Sequence, residues 1–150
     1  CLMPNHFHLL IRQHAVDGMT KLMRRLLTTY VMYANKRHRR VGYLFQSRYK
    51  AVLIDDESYL IHLSRYIHQN PLALPNMTRT VLVNFLYSSY TYYVGNKHAL
   101  WIKPQPILDL FHQTKSLPFF QNVTSYKSFV EEKDINYHEG LDNLILEEAE

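Results

Sequence analysis

Met3-Pro4-Asn5-His6-Phe7-His8-Leu9-Leu10-Ile11 carries two histidines two residues apart, and the fold turns on how it is read. Its apolar residues predict a strand. Successive strand side chains point to opposite faces, so His6 and His8 share one face while Phe7 and Leu9 share the other. Two imidazoles side by side on a strand make half of a metal site, and the packing of a hydrophobic strand does not require them. Two satisfied or surface histidines are the competing reading, and the pair alone does not decide between them.

The surrounding chain of 150 residues is long enough for one domain with its own core, or one domain and an extension. The lone Cys1 excludes an internal disulfide framework and suits a reducing compartment. No apolar run reaches the length of a membrane span, and no signal-peptide pattern is present. The chain opens on Cys1 and enters the strand at once, which predicts an N-terminally incomplete segment. Charge is unevenly placed. Residues 1–75 hold 11 Lys/Arg against 4 Asp/Glu, and residues 76–150 hold 6 against 9, giving the net +4. A basic front half with nine histidines in the chain points to a polyanion, most simply nucleic acid.

After the histidine strand, Asp17 is expected to cap a helix from Met19 to about Arg37. Met19, Leu22, Met23, Leu26, Leu27, Tyr30, Tyr33 and Ala34 recur at three- and four-residue steps as one apolar face. Lys21, Arg24 and Arg25 fall on the other face, and the helix empties into Lys36-Arg37-His38-Arg39-Arg40. That run suits the negative end of a helix dipole and suits phosphates equally. Beyond Gly42, the alternation from Tyr43 to Ile54 predicts a strand or hairpin. Arg48 and Lys50, interleaved with Tyr43, Phe45 and Tyr49, offer cations for phosphate and flat rings for bases. An edge strand with snorkelling cations is the alternative.

Asp55 and Asp56 open a second expected helix, which runs through Tyr59, Leu60, Leu63, Tyr66 and Ile67 to Asn70. Pro71 stops it, and the proline is expected to push Asn70 towards an extended conformation. Residues 72–78 form a connector, and the domain boundary is placed at residue 76. Further on come a tyrosine-rich stretch from Leu82 to Tyr93 with a turn at Gly95-Asn96, short helices at Pro106–Gln113 and Tyr126–Glu132, and an acidic tail from Asp134.

Tyr66 and Asn70 are four apart and so share a helix face. A tyrosine is a poor nucleophile near neutrality, with an ordinary pKa of about 10. It becomes useful where a metal polarises the electrophile and stabilises the departing oxygen. An amide oxygen one turn on can complete a metal site begun by two histidines. Together with water and phosphate oxygens, such a set suits Mg²⁺ or Mn²⁺, although two imidazoles alone suit zinc equally.

Four blocks taken in order resemble the single-tyrosine HUH transposases, the transposase IS200-like family, and within it the REP-associated tyrosine transposases. They are residues 1–10, CLMPNHFHLL; residues 42–50, GYLFQSRYK; residues 66–71, YIHQNP; and residues 86–90, LYSSY, with the later Gly95. The resemblance implies that His6 and His8 are the histidine pair of that motif, Tyr66 the nucleophile, and Asn70 the further metal ligand. It implies a ferredoxin-like or RRM-like antiparallel sheet of α+β class, with helices on one side. This chain would lack the first strand and helix of that fold and carry a mainly helical C-terminal extension. The expected division is a catalytic domain over 1–76 and the extension, with its acidic tail, over 77–150. The implied activity is cleavage and rejoining of single-stranded hairpin DNA through a 5′-phosphotyrosine, with Mg²⁺ or Mn²⁺, in the bacterial cytoplasm at the nucleoid. Monomer and homodimer are equally compatible. Arg24, Arg25, Lys36, Arg37, Arg39, Arg40, Arg48 and Lys50 are the expected DNA contacts. A binding module that holds hairpin DNA without cutting it is the second reading. A zinc hydrolase is a third, for which the sequence supplies no third protein ligand or general base.

Overall fold

The structure, a computed structural model, describes residues 1–114 and 123–132. Its helices are α1 (Gly18–His38), α2 (Glu57–Gln69), α3 (Tyr90–Tyr93), α4 (Gln105–Thr114) and α5 (Tyr126–Glu131), with 3₁₀ helices at Asn70–Ala73 and Arg79–Asn84. The chain forms two units, one of Cys1–Leu9 with Leu53–Glu150 and one of Leu10–Val52. Among the described residues no helix is long and apolar enough to cross a membrane. The acidic tail from Asp134 lies outside the described residues.

The expected α+β antiparallel sheet is not what forms. Among the described residues the strand pairing is one isolated bridge, Leu2 to Phe7. The reason lies in Pro4-Asn5, where the chain bends and folds back on itself. Met3 N–H donates to His6 O at 2.9 Å, and Cys1 and His8 exchange backbone bonds of 2.9 Å each way. Donors that a neighbouring strand would need are thus spent inside residues 1–8. Leu2 N–H goes instead to Tyr87 O, at 2.8 Å. The second expected strand, Tyr43 to Ile54, is likewise a run of bends and extended chain without a ladder. Its alternation of residue types is real, but alternation does not make a strand without a partner to pair with.

In the first unit α2 is the central element, packed against α4 and α5. Its buried stripe is Ile61, Ser64, Arg65 and His68, at helical spacing, joined by His62 and Ile67. Of the apolar residues along the expected helix, Ile67 is buried, while Tyr59, Leu60, Leu63 and Tyr66 are only half-buried. Polar side chains are tolerated on the buried stripe because α5 supplies them with partners. Arg65 donates to Glu132 O at 2.7 Å and stacks 5.4 Å above the Phe129 ring. Gln69 donates to Val130 O at 2.5 Å, and Arg79 also reaches Glu132 O, at 3.2 Å. Carbonyls at the end of α5, which lack partners within a helix, are thereby satisfied. The apolar remainder is aromatic: Phe111 lies 5.3 Å from Phe129 and 5.7 Å from Tyr126 between ring centroids.

In the unit Leu10–Val52, α1 spans the expected range with a different start. Asp17 is left-handed at φ 61° and makes no side-chain cap, because that conformation aims its carboxylate away from the first-turn donors. Gln13 Oε1 accepts the Met19 N–H instead, at 3.1 Å. At the other end Arg39 is left-handed too, and its N–H returns to Asn35 O. Asn35 Nδ2 then donates to Gly42 O at 2.9 Å, across a glycine at φ 93°. Tyr30 and Phe45 stack 6.3 Å apart, and Thr20 and Tyr49 hydroxyls meet at 3.4 Å. Of the expected apolar face of α1, Met23 and Ala34 are buried while Leu22, Leu26, Tyr30 and Tyr33 stay exposed.

Candidate active site

The cap of α2 sets its register. Asp56 is extended and its side chain accepts the Tyr59 N–H, the arrangement that satisfies an orphan first-turn donor. Tyr66 and Asn70 then fall one turn apart, and Asn70 N–H still donates to Tyr66 O. Asn70 is helical (φ −47°, ψ −40°) rather than extended as Pro71 had led us to expect. The chain passes straight into the 3₁₀ helix Asn70–Ala73, with Pro71 in its first turn, where a missing N–H is harmless. This keeps the Asn70 side chain on the face of Tyr66.

On that face the turn of residues 1–8 delivers both histidines. His6 Nε2 lies 3.1 Å from Asn70 Oδ1. The His6 and His8 rings are edge-to-face at 5.0 Å between centroids, and His8 meets Tyr66 the same way at 5.7 Å. The four residues singled out in sequence therefore form one contiguous row: Asn70, His6, His8, Tyr66. All four are half-buried. Two donor atoms held cis on an octahedral ion with bonds of 2.0–2.1 Å stand about 3 Å apart. The separation of His6 Nε2 and Asn70 Oδ1 fits that requirement; the amide oxygen suits Mg²⁺ or Mn²⁺, and the imidazole suits zinc as well. Among the described residues no group of three or more His, Cys, Asp or Glu gathers, so a site here would be completed by water and phosphate oxygens.

Behind the row runs a buried chain of hydrogen bonds that the sequence reading did not anticipate. Ser64 donates to Ile61 O at 2.7 Å, which leaves its oxygen to accept from the Tyr126 hydroxyl at 2.9 Å. Tyr126 in turn accepts from His68 Nδ1 at 2.9 Å, and His68 Nε2 accepts from Ser89 at 3.0 Å. A neutral His68 with its proton on Nδ1 gives each of these contacts one donor and one acceptor. Burial agrees, pushing the His68 pKa down to about 3, and it raises that of Tyr126. His62, buried edge-on to Phe129, is held down to about 4, first by burial and then by the Arg65 charge. The signal available in sequence was the 64-65-68 spacing of polar residues, which is core spacing.

The expected DNA contacts all lie in the unit Leu10–Val52, and Arg24, Arg25, Lys36, Arg37, Arg39, Arg40, Arg48 and Lys50 are all exposed. That unit holds ten Lys/Arg against the single Asp17. The basic half of the sequence thus narrows to this one stretch, with six of the eight cations on or just beyond α1.

Residues 1–70 match the family model described as Transposase IS200 like. No curated protein and no solved structure matches the chain. The matched segment begins with the histidine turn and ends on Asn70, so it contains all four residues of the row. Over that stretch, just under half of the chain, the sequence is similar to IS200-like transposases.

Proposed function

We propose that the protein is a single-tyrosine strand-transfer enzyme that cleaves and rejoins single-stranded hairpin DNA, close to the REP-associated tyrosine transposases. The observation that carries this reading is the row Asn70–His6–His8–Tyr66, in which the tyrosine ring lies against one histidine of a candidate metal pair. Tyr66 is the nucleophile: its oxygen attacks the scissile phosphorus, the P–O3′ bond breaks, and the products are a 5′-phosphotyrosine and a free 3′-hydroxyl. The phosphodiester energy is kept in the new Tyr–O–P bond, so the reverse attack by a 3′-hydroxyl rejoins DNA without ATP. His6, His8 and Asn70 would hold Mg²⁺ or Mn²⁺, which supplies Lewis-acid polarisation of the phosphate when bound. α2 orients the tyrosine, and its docking on α4 and α5 holds that orientation. In this reading residues 1–76 carry the catalysis, residues 77–150 are its extension, and the enzyme works in the cytoplasm at the nucleoid.

The test is a labelled single-stranded hairpin mixed with protein and Mg²⁺ or Mn²⁺. A denaturant-stable protein–DNA adduct is expected, absent in Tyr66→Phe and retained in Tyr59→Phe. An adduct mapped to Tyr59 would overturn the assignment. The basic, acid-poor unit Leu10–Val52 favours a second reading, a hairpin-binding module. Binding without any adduct, unchanged in His6→Ala, would select it.

A further inference from the structure

The side chain of Asn5 stands directly behind the first histidine of the row, with Asn5 Oδ1 2.8 Å from His6 Nδ1. On its other side the same imidazole meets a second amide oxygen, Asn70 Oδ1, at 3.1 Å from Nε2. A neutral imidazole has one N–H and one lone pair. It can donate to only one of the two oxygens, and the Asn5 contact is the shorter. With the proton on Nδ1, the Nε2 lone pair and an Asn70 lone pair converge from 3.1 Å. Two converging lone pairs repel each other, and a cation between them removes the repulsion. With the proton on Nε2 the reverse holds: His6 would be bonded to Asn70 and closed to a metal.

We propose that Asn5 is a positioning residue that fixes His6 in the Nδ1–H tautomer and so keeps Nε2 open as a metal ligand. The inference rests on the metal reading of His6 and Asn70 given above. The backbone explains why Asn5 can do this. The Met3 N–H to His6 O bond closes a turn with Pro4 and Asn5 at its tip, so residue 5 is held next to the ring of residue 6. Asparagine is at home in such turns, and its short amide reaches the ring nitrogen. Metal-bound histidines commonly donate their second nitrogen to an outer carbonyl or carboxylate, which sets both tautomer and ring orientation. Here the outer partner is the preceding residue and comes from the turn itself.

The experiment uses the whole chain, free of metal, and reads two quantities: the ¹⁵N shifts of the His6 imidazole above its titration range, and Mn²⁺ affinity by calorimetry. In the wild type the shifts should report Nδ1–H. In Asn5→Ala the preference for Nδ1–H should be lost and Mn²⁺ affinity should fall by about tenfold to a hundredfold. Asn5→Asp, which presents an oxygen whichever way its carboxylate turns, should keep both the tautomer and the affinity. Asn5 is exposed, so these variants are expected to fold. Wild-type tautomer and affinity in Asn5→Ala would overturn the proposal alone. No Mn²⁺ binding by the wild type would overturn the metal reading, and the proposal with it.

Discussion

His6 Nε2 and Asn70 Oδ1 meet at 3.1 Å although 64 positions separate them in the chain. If one ion is shared by both, the two residues do not act independently. His6→Ala and Asn70→Ala should each weaken Mn²⁺ binding by about tenfold or more. The double variant should lose less than the product of the two single losses, because the first deletion already dismantles the shared site. Calorimetric titration of the three variants decides this. Losses that multiply cleanly would mean the residues do not serve one ion.

Tyr126 joins Ser64 and His68 through two bonds of 2.9 Å in the core. Tyr126→Phe removes the hydroxyl and strands the His68 Nδ1–H where water does not reach. The expected cost is about 1–3 kcal/mol, read as a lower urea midpoint with the slope unchanged. A midpoint equal to the wild type would show that the chain of bonds contributes no net stability.

His62 supplies a pH dependence. Its pKa in the folded chain is about 4, against 6.5 ordinarily. Above the upper value the ring is neutral in both states and has no effect. Between the two values the unfolded chain binds a proton that the folded chain refuses. Stability therefore falls as pH drops through that window, by at most about 1.4 kcal/mol per pH unit from this group. Urea midpoints measured across the window should fall less steeply in His62→Gln. Identical slopes in the two proteins would show that His62 titrates normally in the fold.

Arg37 and Arg40 are exposed at the C-terminal end of α1. If each touches a phosphate of the hairpin, replacing either with Ala should reduce the slope of log affinity against log salt by about 0.7–0.9. The reduction should be the same for unrelated hairpins, since phosphate contacts carry no sequence information. A salt slope equal to the wild type would remove that residue from the contact set.

The grouping of the four candidate residues was legible because they sit in short local patterns. The His6–His8 spacing and the Tyr66–Asn70 turn each follow from one kind of periodicity, and the structure brings the two pairs together. The helices were legible for the same reason: α1, α2, α4 and α5 all fall near their expected ranges. The sheet was misread because alternation in residues 3–11 and 43–54 records only side-chain preference, whereas a strand also needs a partner. Pro4-Asn5 turned the first of these stretches back on itself instead. The polar part of the buried side of α2 was not anticipated, because Ser64, Arg65 and His68 look like surface residues until α5 and Ser89 supply their partners.

The Pro4-Asn5 turn also separates the site into an early and a late part. Bringing His6 beside His8 closes a loop of only a few residues, so this half costs little chain entropy and can form before the rest of the unit. Asn70 and Tyr66 arrive only when α2 reaches the turn. If the proposed metal site holds, metal affinity doubles as a gauge of assembly: a two-histidine site in the partly folded chain and a tighter one once the helix is in place. In a refolding experiment, the gain in Mn²⁺ affinity would mark the moment when Tyr66 and Asn70 join the two histidines.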